Sequence, residues 1–133
     1  MQADTGDKLL DSLANYLQDQ GLATIGTNLF VHSMPAKVTS GYLLVNNIKG
    51  AKVHKYYPGW RDCVFRIIAR GVDRPIAIGN LNTLLPYLQF DETQLDTVFI
   101  KHIRYDNDPI VFPVSYNSEM TEASVQLTAI YTL

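Results

Sequence analysis

Cysteine is nearly absent from this chain: Cys63 is the only one, which excludes an internal disulfide framework and a cysteine-based zinc cluster. Long hydrophobic runs are missing too, none approaching the ~20 residues needed to span a bilayer. Charge is sparse and nearly balanced, with eleven Lys and Arg against thirteen Asp and Glu, a net −2 over 133 residues. That balance makes no global electrostatic case for binding nucleic acid or another polyanion. The sequence contains no G-x-S-x-G, no H-E-x-x-H, no P-loop and no G-x-G-x-x-G, so the common hydrolase, zincin and nucleotide-binding signatures are absent. Residues 1–11 are polar and acidic, unlike a secretory signal peptide with its basic start and apolar middle. With 47% apolar and 18% charged residues, the composition is that of a globular chain with a core. The expectation is one soluble, intracellular domain spanning 1–133.

Hydrophobic spacing is what the chain does have. Leu9, Leu10, Leu13, Tyr16 and Leu17 form one apolar stripe at helical spacing, predicting a helix over 6–20. Asp4 or Thr5 would cap it, Asp7 suits its first turn, and Gly21 suits the left-handed residue that ends it. The period then switches to two, and 28–34, 41–46 and 61–70 read as strands rich in β-branched and aromatic residues. In the third, Cys63, Phe65, Ile67 and Ala69 form an apolar face, while Asp62, Val64, Arg66, Ile68 and Arg70 form a mixed face, half covered or meeting a partner. A second helix starts at an Asp73 N-cap with Pro75 in its first turn. Its apolar residues are Ile76, Ile78, Leu81, Leu84, Leu85 and Leu88, Pro86 ends or kinks it, and Gly79 suggests a close neighbour. Strands follow over 97–105, 110–116 and 123–132, the last alternating between a buried and a wet face. Helix, three strands, helix, three strands argues for an α+β fold: a mainly antiparallel sheet of about six strands with two packed helices.

No set of residues reads as catalytic. Cys63 lies on an apolar strand face, where thiolate formation is disfavoured. His32, His54 and His102 sit on three different segments with no acid at helical spacing, short of the three or four convergent ligands a metal needs. An enzyme would require a pocket uniting His32, His102 and an acid. The pair Asp91-Glu92 reads as a solvated connection rather than an acid/base couple, which needs one member in an apolar pocket.

One segment is unusual. Residues 49–61, KGAKVHKYYPGWR, carry Lys49, Lys52, Lys55 and Arg61 with no acid, leaving −6 for the remainder of the chain. Tyr56, Tyr57 and Trp60 are interleaved, and Pro58-Gly59 supplies a turn. Such an arm reads in three ways: a solvated hairpin with its aromatics folded back on the sheet, a protein–protein contact rich in Tyr, Trp and Arg, or a nucleic-acid contact by stacking and phosphate neutralisation. Protein contact is the leading reading on that enrichment, and the acidic remainder of the chain weighs against nucleic acid.

Taken in order, the segments resemble a family. Asn28-Leu29-Phe30-Val31-His32-Ser33-Met34-Pro35, after a short helix, resembles the opening of the tail terminator (tail completion, minor capsid) proteins of long-tailed bacteriophages. Phe65 to Gly71 is similar to that family's strand before its second helix, and Asp108-Pro109-Ile110 with Glu122 to Leu127 to its closing pattern. The basic, aromatic arm and Pro86 depart from the pattern. The resemblance implies a structural virion protein of the tail and neck, not an enzyme, with no cofactor, no metal and no membrane, assembled in the host cytoplasm. It would form a homo-hexameric ring capping the head-proximal end of the tail tube, stop tube polymerisation, and offer the surface for the head-completion or neck protein. Genomic DNA would pass through the lumen without specific binding, with Lys49, Lys52 and Lys55 away from the bore. The expected contact residues are Lys49, Lys52, Lys55, Tyr56, Tyr57, Trp60, Arg61, Arg66 and Arg70. A head-completion or neck connector, or a small nucleic-acid-binding protein, is the alternative.

Overall fold

Leu9, Leu10, Leu13 and Leu17 are all fully buried, and the stripe they make is why helix α1 (Asp7–Asp19) forms where it does. Each such leucine contributes about 1.5–3 kcal/mol on leaving water. The computed structural model describes residues 6–53, 59–114 and 117–133, with 47–52 and 112–119 as backbone only. Gly6, with φ 88°, starts α1 without a side-chain cap; Asp4 and Thr5, the expected caps, lie outside the described residues. Gly21 takes the left-handed turn, φ 76°, after the helix.

Seven strands follow: β1 (Leu29–Val31), β2 (Gly41–Val53), β3 (Trp60–Gly71), β4 (Asp91–Leu95), β5 (Val98–Tyr105), β6 (Ile110–Val114) and β7 (Asn117–Thr132). Between β3 and β4 lie α2 (Arg74–Leu84) and a 3-10 turn (Leu85–Leu88). They build one sheet in the order β1-β2-β3-β7-β5-β4, and β6 pairs with the first half of β7. β5 occupies the same edge of β7 further on, from Leu127 to Thr132, so the sheet is five strands across at either level, β1-β2-β3-β7-β6 at one and β2-β3-β7-β5-β4 at the other. All pairings are antiparallel except β1 with β2. α1 touches β1 and β2 at one end of the sheet and β4 and β5 at the other, so the sheet curls around it. Tyr16 fixes that far end by an edge contact with Phe90, ring centroids 5.0 Å apart. α2 packs on β3 and β7. Both helices therefore cover the face carrying Cys63, Phe65, Ile67 and Ala69, and these join the single buried cluster with Ala123, Val125, Leu127, Ala129 and Tyr131.

Several elements differ from their sequence expectation, each for a physical reason. β1 stops after Val31 because His32 takes φ 76°, outside the extended region. β2 continues to Val53 through an irregularity between Asn46 and Ala51, so the first part of the basic segment is strand rather than loop. Asp91 to Leu95 is an edge strand on β5, not a solvated connection. Its acids are poor strand formers, and Asp91 and Glu92 stay exposed, so no apolar alternation marks it. The second helix keeps its signals, Asp73 accepting from the Ile76 N–H at 3.0 Å, but its buried face is only Ala77, Leu81 and Leu84, with Ile76 exposed. Pro86 ends the α-helix, and Leu88 is buried from the 3-10 turn instead. The expected wet face of β7 is largely covered: Ser124 and Thr128 are buried, since the strand has neighbours along both edges.

The glycines at the two ends of this region behave differently. A Cβ on Gly71 would stand 2.8 Å from the Ala77 backbone nitrogen, so α2 can approach the end of β3 only because that side chain is absent. Gly79 has nothing within 4 Å of a Cβ position, contrary to the close neighbour its presence suggested. Gly79→Ala is therefore expected to stabilise the protein by about 0.5–1 kcal/mol, whereas Gly71→Ala destabilises it. Urea midpoints of the two variants against the wild type test the pair.

Candidate interaction surface

With both helices on one face, the other face of the sheet is the surface that remains. Its composition follows from register. β3 pairs with β7 from Trp60 opposite Thr132 to Gly71 opposite Thr121, so Trp60, Asp62, Val64, Arg66, Ile68 and Arg70 share this outer face with Glu122, Ser124, Gln126, Thr128, Ile130 and Thr132. β2 adds Leu43 opposite Ile68 and Val45 opposite Arg66. The mixed face expected of β3 is thus the uncovered one.

Its centre is an open depression of about 340 Å³ lined by Val45, Val64, Arg66, Ile68 and Gln126, among others. Arg66 is exposed there and is the depression's only titratable side chain. A cation set among branched apolar side chains can bind an acidic partner group, but it supplies no general acid or base at neutral pH. Lower on the face, the Asp62 Oδ1 is buried with no hydrogen-bond partner among the described residues. A buried carboxylate oxygen in that state is costly.

The nine residues expected to make contacts separate into groups. Of those described, only Arg66 is an exposed cation on the outer face. Trp60 is half-buried: its ring meets Phe99 edge-on at 6.0 Å, and the Lys101 Nζ lies 5.7 Å from its centroid. It is folded back on the sheet, as the blandest reading of the arm has it. Arg61 is buried and its Nη1 donates to the Trp60 carbonyl at 3.4 Å. Lys49 and Lys52 stand in β2, described as backbone only, and Lys55, Tyr56 and Tyr57 lie outside the described residues, as does His54.

Arg70 is a correction to the idea of a free contact group. It is 4% exposed, and its guanidinium is spent within the chain. Nε and Nη2 donate to the Glu122 carboxylate at 3.0 and 2.9 Å, the cross-strand partner of Arg70 on β7. Nη1 donates to the carbonyls of Pro35 and Val38, each at 3.0 Å. Those carbonyls belong to the short crossover joining the parallel strands β1 and β2, so Arg70 holds that crossover down. Asn80 of α2 donates to the Arg70 carbonyl at 3.3 Å. Tyr42 donates its hydroxyl to the Asn80 carbonyl at 3.1 Å, and burial pushes that phenol's pKa up, keeping it a neutral donor.

The other candidate groups do not converge. Among the described residues no group of three His, Cys, Asp or Glu side chains could hold a metal ion. Cys63 is buried and donates its thiol to Asn46 Oδ1 at 3.3 Å. His32 lies 3.5 Å from Asp7 on an exposed surface beyond β1, while His102 is exposed on β5, and the two share no pocket among those described. Sequence reasoning missed Lys101 and Arg104, exposed cations on β5. Arg104 reaches Asp106 at 3.6 Å. Their signal was masked because β5 alternates imperfectly, with a register shift between Ile100 and His102.

Comparison with known proteins gives two findings. The family described as "Bacteriophage tail terminator protein" matches residues 16–133. In the solved structures, a chain from the "Virion of native gene transfer agent (GTA) particle" superimposes with a TM-score of 0.61 at 14% identity, covering 94% of this chain and 95% of that one; the likeness is one of fold. No curated protein sequence matches.

The contrast between Arg70 and Arg66 is measurable. Arg70→Ala leaves Glu122 unpaired and two loop carbonyls without their donor, and is expected to cost about 3–5 kcal/mol. Arg66→Ala, at an exposed position, should change stability by no more than about 0.5 kcal/mol. Chemical denaturation of both variants checks the difference.

Proposed function

This chain belongs to the bacteriophage tail terminator family, and from that premise we propose that its copies close into a homo-hexameric ring on the head-proximal end of a phage tail tube. It is a structural protein of the virion tail. The ring presents one surface that mates with the last tube ring and another that does not, so growth stops, and the free surface takes the head-completion or neck protein. The observation that carries this reading is the family match over 16–133. The fold adds a physical reason: on the sheet face away from both helices, Val45, Val64 and Ile68 surround the exposed Arg66, a mixed apolar and charged patch of the kind protein contacts use. Closed rings need heterologous contacts, in which two different surfaces of each copy meet.

Within this reading, Arg66 is a direct contact of the assembly, and the arm of Lys49, Lys52, Lys55, Tyr56 and Tyr57 reaches the tube or a neighbouring copy. Trp60, Arg61 and Arg70 shape the surface from beneath: the first braces the base of the arm, and Arg70 fixes the crossover beside β2. Genomic DNA passes the lumen without specific capture, which places the three lysines of the arm away from the bore.

Light-scattering mass across a concentration series, with negative-stain images of the same fractions and of fractions mixed with purified tail tubes, tests the proposal. The expected result is a mass near six times the 15.0 kDa chain, rings with a central hole, and tubes that bind the protein at one end and no longer elongate. Binding to heads with no binding to tubes would reassign the protein to the neck.

A further inference from the structure

Two residue rows cross the sheet from one edge strand to the other. Lys52 of β2 pairs with Asp62, Asp62 with Ile130, Ile130 with His102, and His102 with Asp91 of β4. The next row runs from Val53 through Arg61, Tyr131 and Ile100 to Thr93. Each row begins on β2 and ends on β4, and the first carries a cation at one end and an acid at the other. Among the described residues neither end has an outer partner strand. β1 covers only Tyr42, Leu43 and Leu44 of β2, because His32 with φ 76° turns the chain out of the strand. β4 is the last strand on its side. Val53 and Asp91 are both exposed. An edge of this kind offers a line of backbone N–H and C=O groups to any strand that can lie beside it.

We propose that β4 of one copy pairs with the end of β2 beyond its irregularity, residues 51–53, in the next copy, so that one sheet continues through the ring and Asp91 meets Lys52 across the joint. Level, direction and charge all name a second copy as the occupant. A neighbour set at the same height along the strands brings Asp91 beside Lys52 and Thr93 beside Val53. Four antiparallel pairings separate β2 from β4, so the two run the same way. Their joint is therefore parallel, the pairing that β1 already makes on the first part of the same edge. Residues 91–96 hold Asp91, Glu92 and Asp96 and no cation, whereas 45–53 hold Lys49 and Lys52 and no acid. The strands behind do not reverse these signs. Arg61 and Asp62 cancel behind β2, and the β5 residues 98–102 add Lys101 alone behind β4. Two copies of either edge repel each other, which leaves β4 on β2 as the matched pairing. Contact through two different edges is heterologous and runs in one direction, as a ring requires. The proposal rests on the ring reading above and adds which two edges meet.

Hydrogen exchange read by mass spectrometry, on the wild-type chain as monomer and as assembled ring, tests the joint without altering a residue. The amides of 51–53 and 93–95 are expected to slow roughly tenfold or more on assembly, because they pass from water into a shared ladder. Charge reversal gives a second arm, with Lys52→Glu and Asp91→Lys as separate variants. Alone, each sets like charges across the joint, and the concentration needed for assembly should rise roughly tenfold. Mixed in equal amounts, the two should assemble near the wild-type concentration, since every joint of an alternating ring again joins opposite charges. Lys52→Glu also faces Asp62 within its own sheet, so thermal melts accompany both variants, and where either melts low the exchange result decides. Rings whose 51–53 and 93–95 amides exchange as in the monomer overturn the edge contact and leave the ring reading standing. So do variants of wild-type melting temperature that assemble alone as the wild type does, or whose mixture assembles no better than either alone. A wild-type chain that forms no ring in solution or on tubes removes the ring and this contact together.

Discussion

Twelve consecutive residue pairs join β3 to β7, and the parity of that unbroken ladder governs what each face of the protein can do. Side chains alternate strictly along paired strands, so a slip of one residue would exchange the two faces completely. In the register observed, Phe65, Ile67, Ala69, Val125, Leu127 and Tyr131 meet the helices, and Val64, Arg66, Ile68 and Gln126 are left outside. Burial on one face enforces the register, and the register delivers the composition of the other. An assembly surface obtained this way needs no separate folding energy of its own.

The curl of the sheet is fixed at its margins rather than at its centre. At one margin a parallel strand, β1, is attached by a crossover with no helix in it, whose carbonyls at Pro35 and Val38 are satisfied by Arg70. Parallel strands usually need a longer connection; here a buried arginine ties the connection to Glu122 of β7 and, through its own carbonyl, to Asn80 of α2. At the other margin β4 carries the acids and rests against α1. Both margins therefore meet the same helix.

The depression on the outer face is lined by Val45, Val64, Phe65 and Ile68 together with Asn46, Gln126 and Arg66. Arg70, paired with Glu122, and Tyr42 act on loop and helix carbonyls and so determine shape.

The sequence by itself determined both helices, the alternating core of β3 and β7, the α+β class and the family, because each of these is written in local spacing: leucines at three and four, apolar residues at two, an Asp-Arg-Pro start at residues 73–75. Only the tertiary structure decided the rest. β4 was invisible because an edge strand of exposed acids owes its pairing to β5, not to its own residues. Arg66 and Arg70 look alike in sequence, on the same face and four residues apart. One is exposed and the other buried because Glu122 and the β1–β2 crossover come to lie beside Arg70 alone. Trp60 likewise reads as a free aromatic until Phe99, 39 positions further along the chain, closes on its ring. Local periodicity reports which way a side chain points; what it meets there depends on strands distant in sequence, and that is set only when the chain has folded.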